Sequence, residues 1–146
     1  METTAKTTPI VVEQEFNAPK QKVWEAITNL DQMTQWYFEN IPDFKPEVGF
    51  KTKFVIELPE RTFTHLWEVV EVEPGQQIKY LWSYEEYEGM GSVKFSLSEE
   101  GDKTTLRLTN EGLETFPADI PEFAPESCRG GWEYFIKGRL KAYLEK

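Results

Sequence analysis

The sequence predicts an α+β fold in which a curved six-stranded antiparallel sheet is covered by one long C-terminal helix. Three patterns carry that expectation. Apolar and polar residues alternate in a series of short stretches, as in half-buried strands. Most of these stretches follow one another across short turns, so neighbours should pair antiparallel. The C-terminal stretch instead has helical spacing: Trp132, Phe135, Ile136, Arg139, Leu140, Tyr143 and Leu144 fall at i, i+3, i+4, i+7, i+8, i+11 and i+12. A helix with one apolar stripe and a sheet with one apolar face must cover each other.

Taken in order, Ile10, Val12, Gln14 and Phe16 share one face of a first strand that stops at Asn17-Ala18-Pro19. Proline suits the opening turn of a helix, and Val23, Ile27 and Leu30 then recur at i, i+4 and i+7 beside Trp24. Asp31 is expected to cap a second short helix that carries Met33 and ends near Trp36. Period two returns with Phe50, Thr52, Phe54 and Ile56, and again from Thr62 to Glu73, closed by Pro74-Gly75. Ile78, Tyr80 and Trp82, then Val93, Phe95 and Leu97, then Leu106 and Leu108 mark three more strands. Turn residues at Glu88-Gly89 and Glu100-Gly101-Asp102 separate them. The segment from Glu114 to Pro125 holds three prolines and reads as a crossing loop, with Gly131-Trp132 opening the last helix. Residues 1–8 read as a flexible polar tail and 9–146 as a single domain, with no internal repeat or linker.

Composition narrows the function. A net charge of -10, from 26 acidic against 16 basic side chains, repels phosphate backbones and anionic lipid surfaces, so neither nucleic acid nor membrane is an expected partner. There is no apolar run of about 18 residues, and Met1 to Thr8 lacks the apolar core of a secretory signal, so a cytoplasmic location is expected. A single cysteine, Cys128, precludes an internal disulfide and reads as an inert small side chain. A single histidine, His65, precludes a histidine metal triad, and neither a metal, a cofactor nor a catalytic set is expected. Glu85-Glu86-Tyr87-Glu88 reads as a solvated hairpin tip, and Gly130-Gly131 as a close approach of helix to sheet.

The strongest positive signal is aromatic. Five Trp, six Tyr and ten Phe make up 14% of the chain, and flat apolar rings line pockets as readily as they fill cores. The inward-facing candidates for a ligand cavity are Trp36, Phe38, Phe54, His65, Trp67, Tyr80, Trp82, Phe95, Trp132, Phe135, Ile136 and Arg139. The same rings could equally close the space completely. Arg139 interrupts the apolar stripe, and three roles are open to it: pairing with a carboxylate such as Glu111, lying along the stripe with its head in water, or holding an acidic ligand head.

Local signatures add a resemblance. Phe16-Asn-Ala-Pro19 followed by Val23-Trp24, then Trp36-Tyr-Phe38, Val69-Val-Glu-Val-Glu-Pro74, Ile78-Lys-Tyr-Leu-Trp82, Thr105-Leu-Arg-Leu-Thr-Asn-Glu-Gly112 and Gly131-Trp132 occur in that order. Together they resemble the helix-grip proteins of the START-like (SRPBCC) superfamily, and within it the bacterial homologues of the activator of the heat-shock chaperone ATPase. The resemblance spans residues 9 to 145. It implies a cavity between sheet and terminal helix that takes a small apolar molecule, with a role in stress response or regulation. The alternatives are a regulator that binds a chaperone and a cyclase- or hydratase-like enzyme; the absence of any catalytic set argues against the enzyme. A monomer or weak dimer is expected, because the sheet and helix use up each other's apolar faces.

Overall fold

The computed structural model describes residues 9–117 and 119–145; the tail expected at 1–8 lies outside the described residues. Strand β1 (Ile10–Phe16) leads into helices α1 (Lys20–Thr28) and α2 (Leu30–Trp36). Then come β2 (Lys51–Glu57), β3 (Thr62–Glu73), β4 (Gln77–Tyr84), β5 (Gly91–Glu100) and β6 (Lys103–Glu111). They form one six-stranded antiparallel sheet in the order β1-β6-β5-β4-β3-β2. Strands β2 to β6 are a meander, and the α1–α2 pair carries the chain from the β1 edge to the β2 edge. A bulge between Val69 and Glu71 of β3 adds local twist.

Alternation along the strands sends one side of each to a common core. Val12 and Phe16, Phe54, Trp67 and Val69, Ile78 and Tyr80, Val93 and Phe95, and Leu106 and Leu108 are all buried there. Against this face α1 buries Val23, Trp24, Ala26 and Ile27, and α2 buries Met33 and Trp36. Trp36 locks the two helices together, because its Nε1 donates to the Ala26 carbonyl at 2.8 Å.

The second helix is capped two residues earlier than its sequence suggests. Asn29, the only residue between the two helices, caps α2 by accepting from the Gln32 amide at 3.3 Å, while Asp31 sits in the first turn. A carboxylate there still faces the positive end of the helix.

The C-terminal helix also begins earlier, at Pro125, after two 3₁₀ turns at Leu113–Thr115 and Pro121–Phe123. It runs as α3 (Pro125–Glu133), a π-helical stretch (Tyr134–Leu140) and α4 (Lys141–Leu144) without a break in helical dihedrals at either junction. Its buried row is Trp132, Ile136, Leu140 and Leu144, one residue in every four. In a 3.6-residue helix such a row drifts around the axis, and the wider π turn keeps it facing the sheet. Gly130 and Gly131 lie inside this helix, and a Cβ on either would meet nothing within 4 Å. The expected close approach of helix to sheet therefore does not account for them.

Replacing Trp36 with Ala removes a fully buried indole and orphans the Ala26 carbonyl. It should cost about 3–5 kcal/mol, read as a lowered denaturant midpoint with an unchanged slope.

Candidate ligand cavity

The aromatic residues divide into two sets along the length of the grip. In the inner set Tyr37, at the end of α2, stacks on Trp36 (ring centroids 4.6 Å apart) and on Trp67 (5.5 Å). Its hydroxyl shares a 2.8 Å hydrogen bond with that of Tyr80. Burial raises both phenols, so the pair stays neutral. Phe54, Phe95 and Ile136 are buried with this cluster in the packed core.

The outer set lines a cavity of about 330 Å³ that is partly open to solvent. Of the residues singled out in the sequence, Phe38, His65, Trp82, Trp132 and Phe135 line it. Trp36, Phe54, Trp67, Tyr80, Phe95, Ile136 and Arg139 do not. Six of these seven are packed in the core, because the α1–α2 pair and Tyr37 fill that end of the grip. Arg139 lies on the flank of the helix, where its Nη2 donates to the Gln35 carbonyl at 2.9 Å. It caps the last turn of α2 and pairs with neither Glu111 nor anything in the cavity.

The rest of the wall was not legible from periodicity. Ile56 lies at the end of β2 and Leu58 just beyond it, Phe63 and Tyr84 come from β3 and β4, Leu113 opens the first 3₁₀ turn, and Phe116 and Phe123 belong to the proline-rich segment. That segment is folded over the mouth, with Phe123 within 5.6 Å of Phe63, 5.1 Å of Tyr84 and 5.0 Å of Phe116, centroid to centroid. Two phenylalanines beside prolines in a loop were the available clue, since exposed rings there would need cover. Gly112 makes the turn into this segment possible: its φ is +86°, and a Cβ would fall 2.6 Å from the Met90 carbonyl oxygen. An ion pair between Arg61 Nε and Glu122 Oε1 at 2.9 Å ties the β2–β3 hairpin to the second 3₁₀ turn.

Few polar atoms face the cavity, and most are committed. Asn110 Oδ1 accepts from Trp132 Nε1 at 3.1 Å, and its Nδ2 donates to the Ser92 carbonyl at 3.0 Å. The Cys128 thiol donates to the Glu122 carbonyl at 3.6 Å, and burial pushes it up to about 11, so it remains a thiol. Trp82 Nε1 donates to the Tyr84 hydroxyl at 2.7 Å. His65 stacks on Phe54 at 4.7 Å, and its Nδ1 lies 3.1 Å from the Phe63 carbonyl. Burial lowers His65 to about 4, against the opposing pull of that carbonyl and the Glu86 charge. The acidic hairpin is structural as well as solvated: Glu86 accepts from the amide and hydroxyl of Thr64, and Glu85 pairs with Lys53 at 3.0 Å. Among the described residues no group of three His, Cys, Asp or Glu side chains could hold a metal, and no helix is long and apolar enough to cross a membrane.

A meander closed by an edge strand, two short helices and a long helix laid over the sheet define the helix-grip class. Within it the chain belongs to the family of Activator of Hsp90 ATPase homolog 1-like proteins, which it matches over residues 17–145. No curated protein matches the chain. It is similar to the solved structure of CV1439 from Chromobacterium violaceum, at 21% identity and a TM-score of 0.79 over 94% of this chain and 97% of that one. It is also similar to BH1534 from Bacillus halodurans, at 26% identity and a TM-score of 0.74 over 97% and 99%. The Aha1 dimer from Colwellia psychrerythraea shares the fold at 18% identity, with a TM-score of 0.71 over 95% and 97%.

His65 gives the site a pH signature. Its imidazole falls from 6.5 to about 4 on folding, so between these values the unfolded chain takes up a proton that the folded one refuses. Its stability contribution is therefore intact above pH 6.5 and is lost as pH falls toward 4, by up to about 3 kcal/mol. Glu86 is the charged group that acts on the ring, and it opposes the shift without cancelling it. His65→Phe should remove that part of the acid-side loss. Denaturation midpoints at pH 7.5 and pH 4 should fall less in the variant, and equal falls would place His65 in solvent.

Proposed function

We propose that this chain binds a small apolar molecule in the cavity between the outer strands, the proline-rich segment and the start of the C-terminal helix. One observation carries the reading. Phe38, Trp82, Tyr84 and Phe135 are only half-buried, although they are large apolar side chains turned toward the interior, because the space between them is left open. Uncovered apolar surface forfeits about 25 cal/mol for every Å² that a ligand could remove from water.

The chemistry of the wall supports binding over catalysis. Burial lowers His65 to about 4, which makes it a weak base, and Cys128 keeps its proton with no base beside it to take it, so neither nucleophile nor strong general base is prepared. The family's description concerns a chaperone activator, and a regulator that docks on a chaperone is the alternative it suggests. Docking of that kind calls for a broad exposed groove, whereas the feature built here is a compact apolar pocket between the sheet, the proline-rich segment and the helix.

Naphthalene serves as a minimal apolar probe, and its binding should carry a negative heat-capacity change by calorimetry. Gly131 lines the cavity, and a Cβ there meets nothing within 4 Å. Gly131→Leu should therefore keep or raise stability, by up to about 1 kcal/mol from helix propensity, while weakening naphthalene by about tenfold or more. Undiminished binding in that variant would move the site elsewhere.

A further inference from the structure

We propose that the cavity selects an uncharged molecule of about two fused rings that carries one hydroxyl group, held between the free nitrogen of His65 and the phenol of Tyr84. This deepens the binding reading above and rests on it.

The argument starts from the histidine. A carbonyl oxygen can only accept, so the 3.1 Å contact between Nδ1 and the Phe63 carbonyl puts the ring proton on Nδ1. That leaves Nε2 as a lone-pair acceptor, and no described residue donates to it. The Tyr84 hydroxyl is the complement. Its oxygen accepts from Trp82 Nε1 at 2.7 Å, and its own proton goes to no described residue. The two rings are neighbours, with centroids 4.9 Å apart, and both line the cavity. One ligand hydroxyl can donate to Nε2 while accepting from the phenol, which satisfies both groups at once.

Charge decides against an acid. No Lys or Arg is among the lining residues. Arg61, at the rim, is committed to Glu122, and Arg139 is committed to Gln35 on the far flank of the helix. A carboxylate entering here would lose its hydration, meet Glu122 and find no cation in return. Size sets the other limit. A dry apolar cavity of about 150 Å³ takes up one benzene, and roughly twice that space is open here, at about 330 Å³.

A matched series tests this on the intact chain: naphthalene, 2-naphthol and 2-naphthoate, titrated by calorimetry at pH 7. The expected order is 2-naphthol tightest, naphthalene weaker by about tenfold for the two lost hydrogen bonds, and 2-naphthoate weakest. His65→Phe should bring the ratio of 2-naphthol to naphthalene affinity close to one, and Tyr84→Phe should reduce it. Circular dichroism on each variant establishes folding, so that either variant alone suffices if the other fails to fold. Naphthalene bound as tightly as 2-naphthol, 2-naphthoate bound best, or an affinity ratio unmoved in both variants would overturn the hydroxyl selection while leaving the apolar cavity standing. No binding by any of the three would overturn the cavity reading itself.

Discussion

The indole of Trp132 stands where the packed half of the molecule meets its open half. One side of the ring faces Tyr37 and Phe95, with centroids 5.9 and 6.1 Å away, in the filled inner core. The other side faces Trp82 and Phe135, at 5.6 and 6.4 Å, in the wall of the cavity. Its Nε1 proton goes to Asn110 of β6, and Asn110 in turn donates to Ser92 of β5. A buried polar contact of this kind fixes position as well as contributing energy, because any slip of the helix along the sheet would leave both the indole N–H and the Asn110 carbonyl oxygen unsatisfied. Placement of the helix over the sheet, and hence the height of the cavity roof, follows from that bond.

The π-helical stretch serves the same constraint from the helix side. Once Trp132 is anchored, Ile136, Leu140 and Leu144 must stay over the sheet, and a regular α-helix would rotate them away. Widening the turn keeps the row aligned and leaves Phe135 and Arg139 on the flank, where one closes the cavity and the other holds α2. Tilting the helix to fill the cavity would break this alignment, which gives a physical reason for an apolar space that a core would otherwise collapse.

The polar character of the site arises from what the protein spends on itself. Asn110, Cys128 and Glu122 are tied up in holding the helix, the proline-rich segment and the β2–β3 hairpin together. Among the described residues that line the cavity, His65 Nε2 and the Tyr84 hydroxyl proton are left without a protein partner. The negative charge of the chain lies mainly on exposed side chains, so the surface repels anions while the interior stays neutral.

Much of the fold was legible because it rests on local periodicity. Alternation in β1 to β6 and the apolar spacing from Trp132 to Leu144 are imposed by the geometry of strand and helix, and each can be read without knowing what lies opposite. Family membership was legible too, from short signatures such as Trp36-Tyr-Phe38 and Ile78-Lys-Tyr-Leu-Trp82. The site was only half legible, since periodicity tells which way a side chain points and not what meets it there. Trp67 and Trp82 are directly opposed across β3 and β4, and both point inward. Yet one is sealed beneath Tyr37 and the other is left open, depending on how far the α2 end reaches across the sheet. The sequence by itself determined the six strands, the helical pair, the C-terminal helix and the faces they turn inward. Tertiary structure alone decided which inward faces were filled and where Phe116 and Phe123 closed the mouth, because those outcomes depend on distances between segments far apart in the chain.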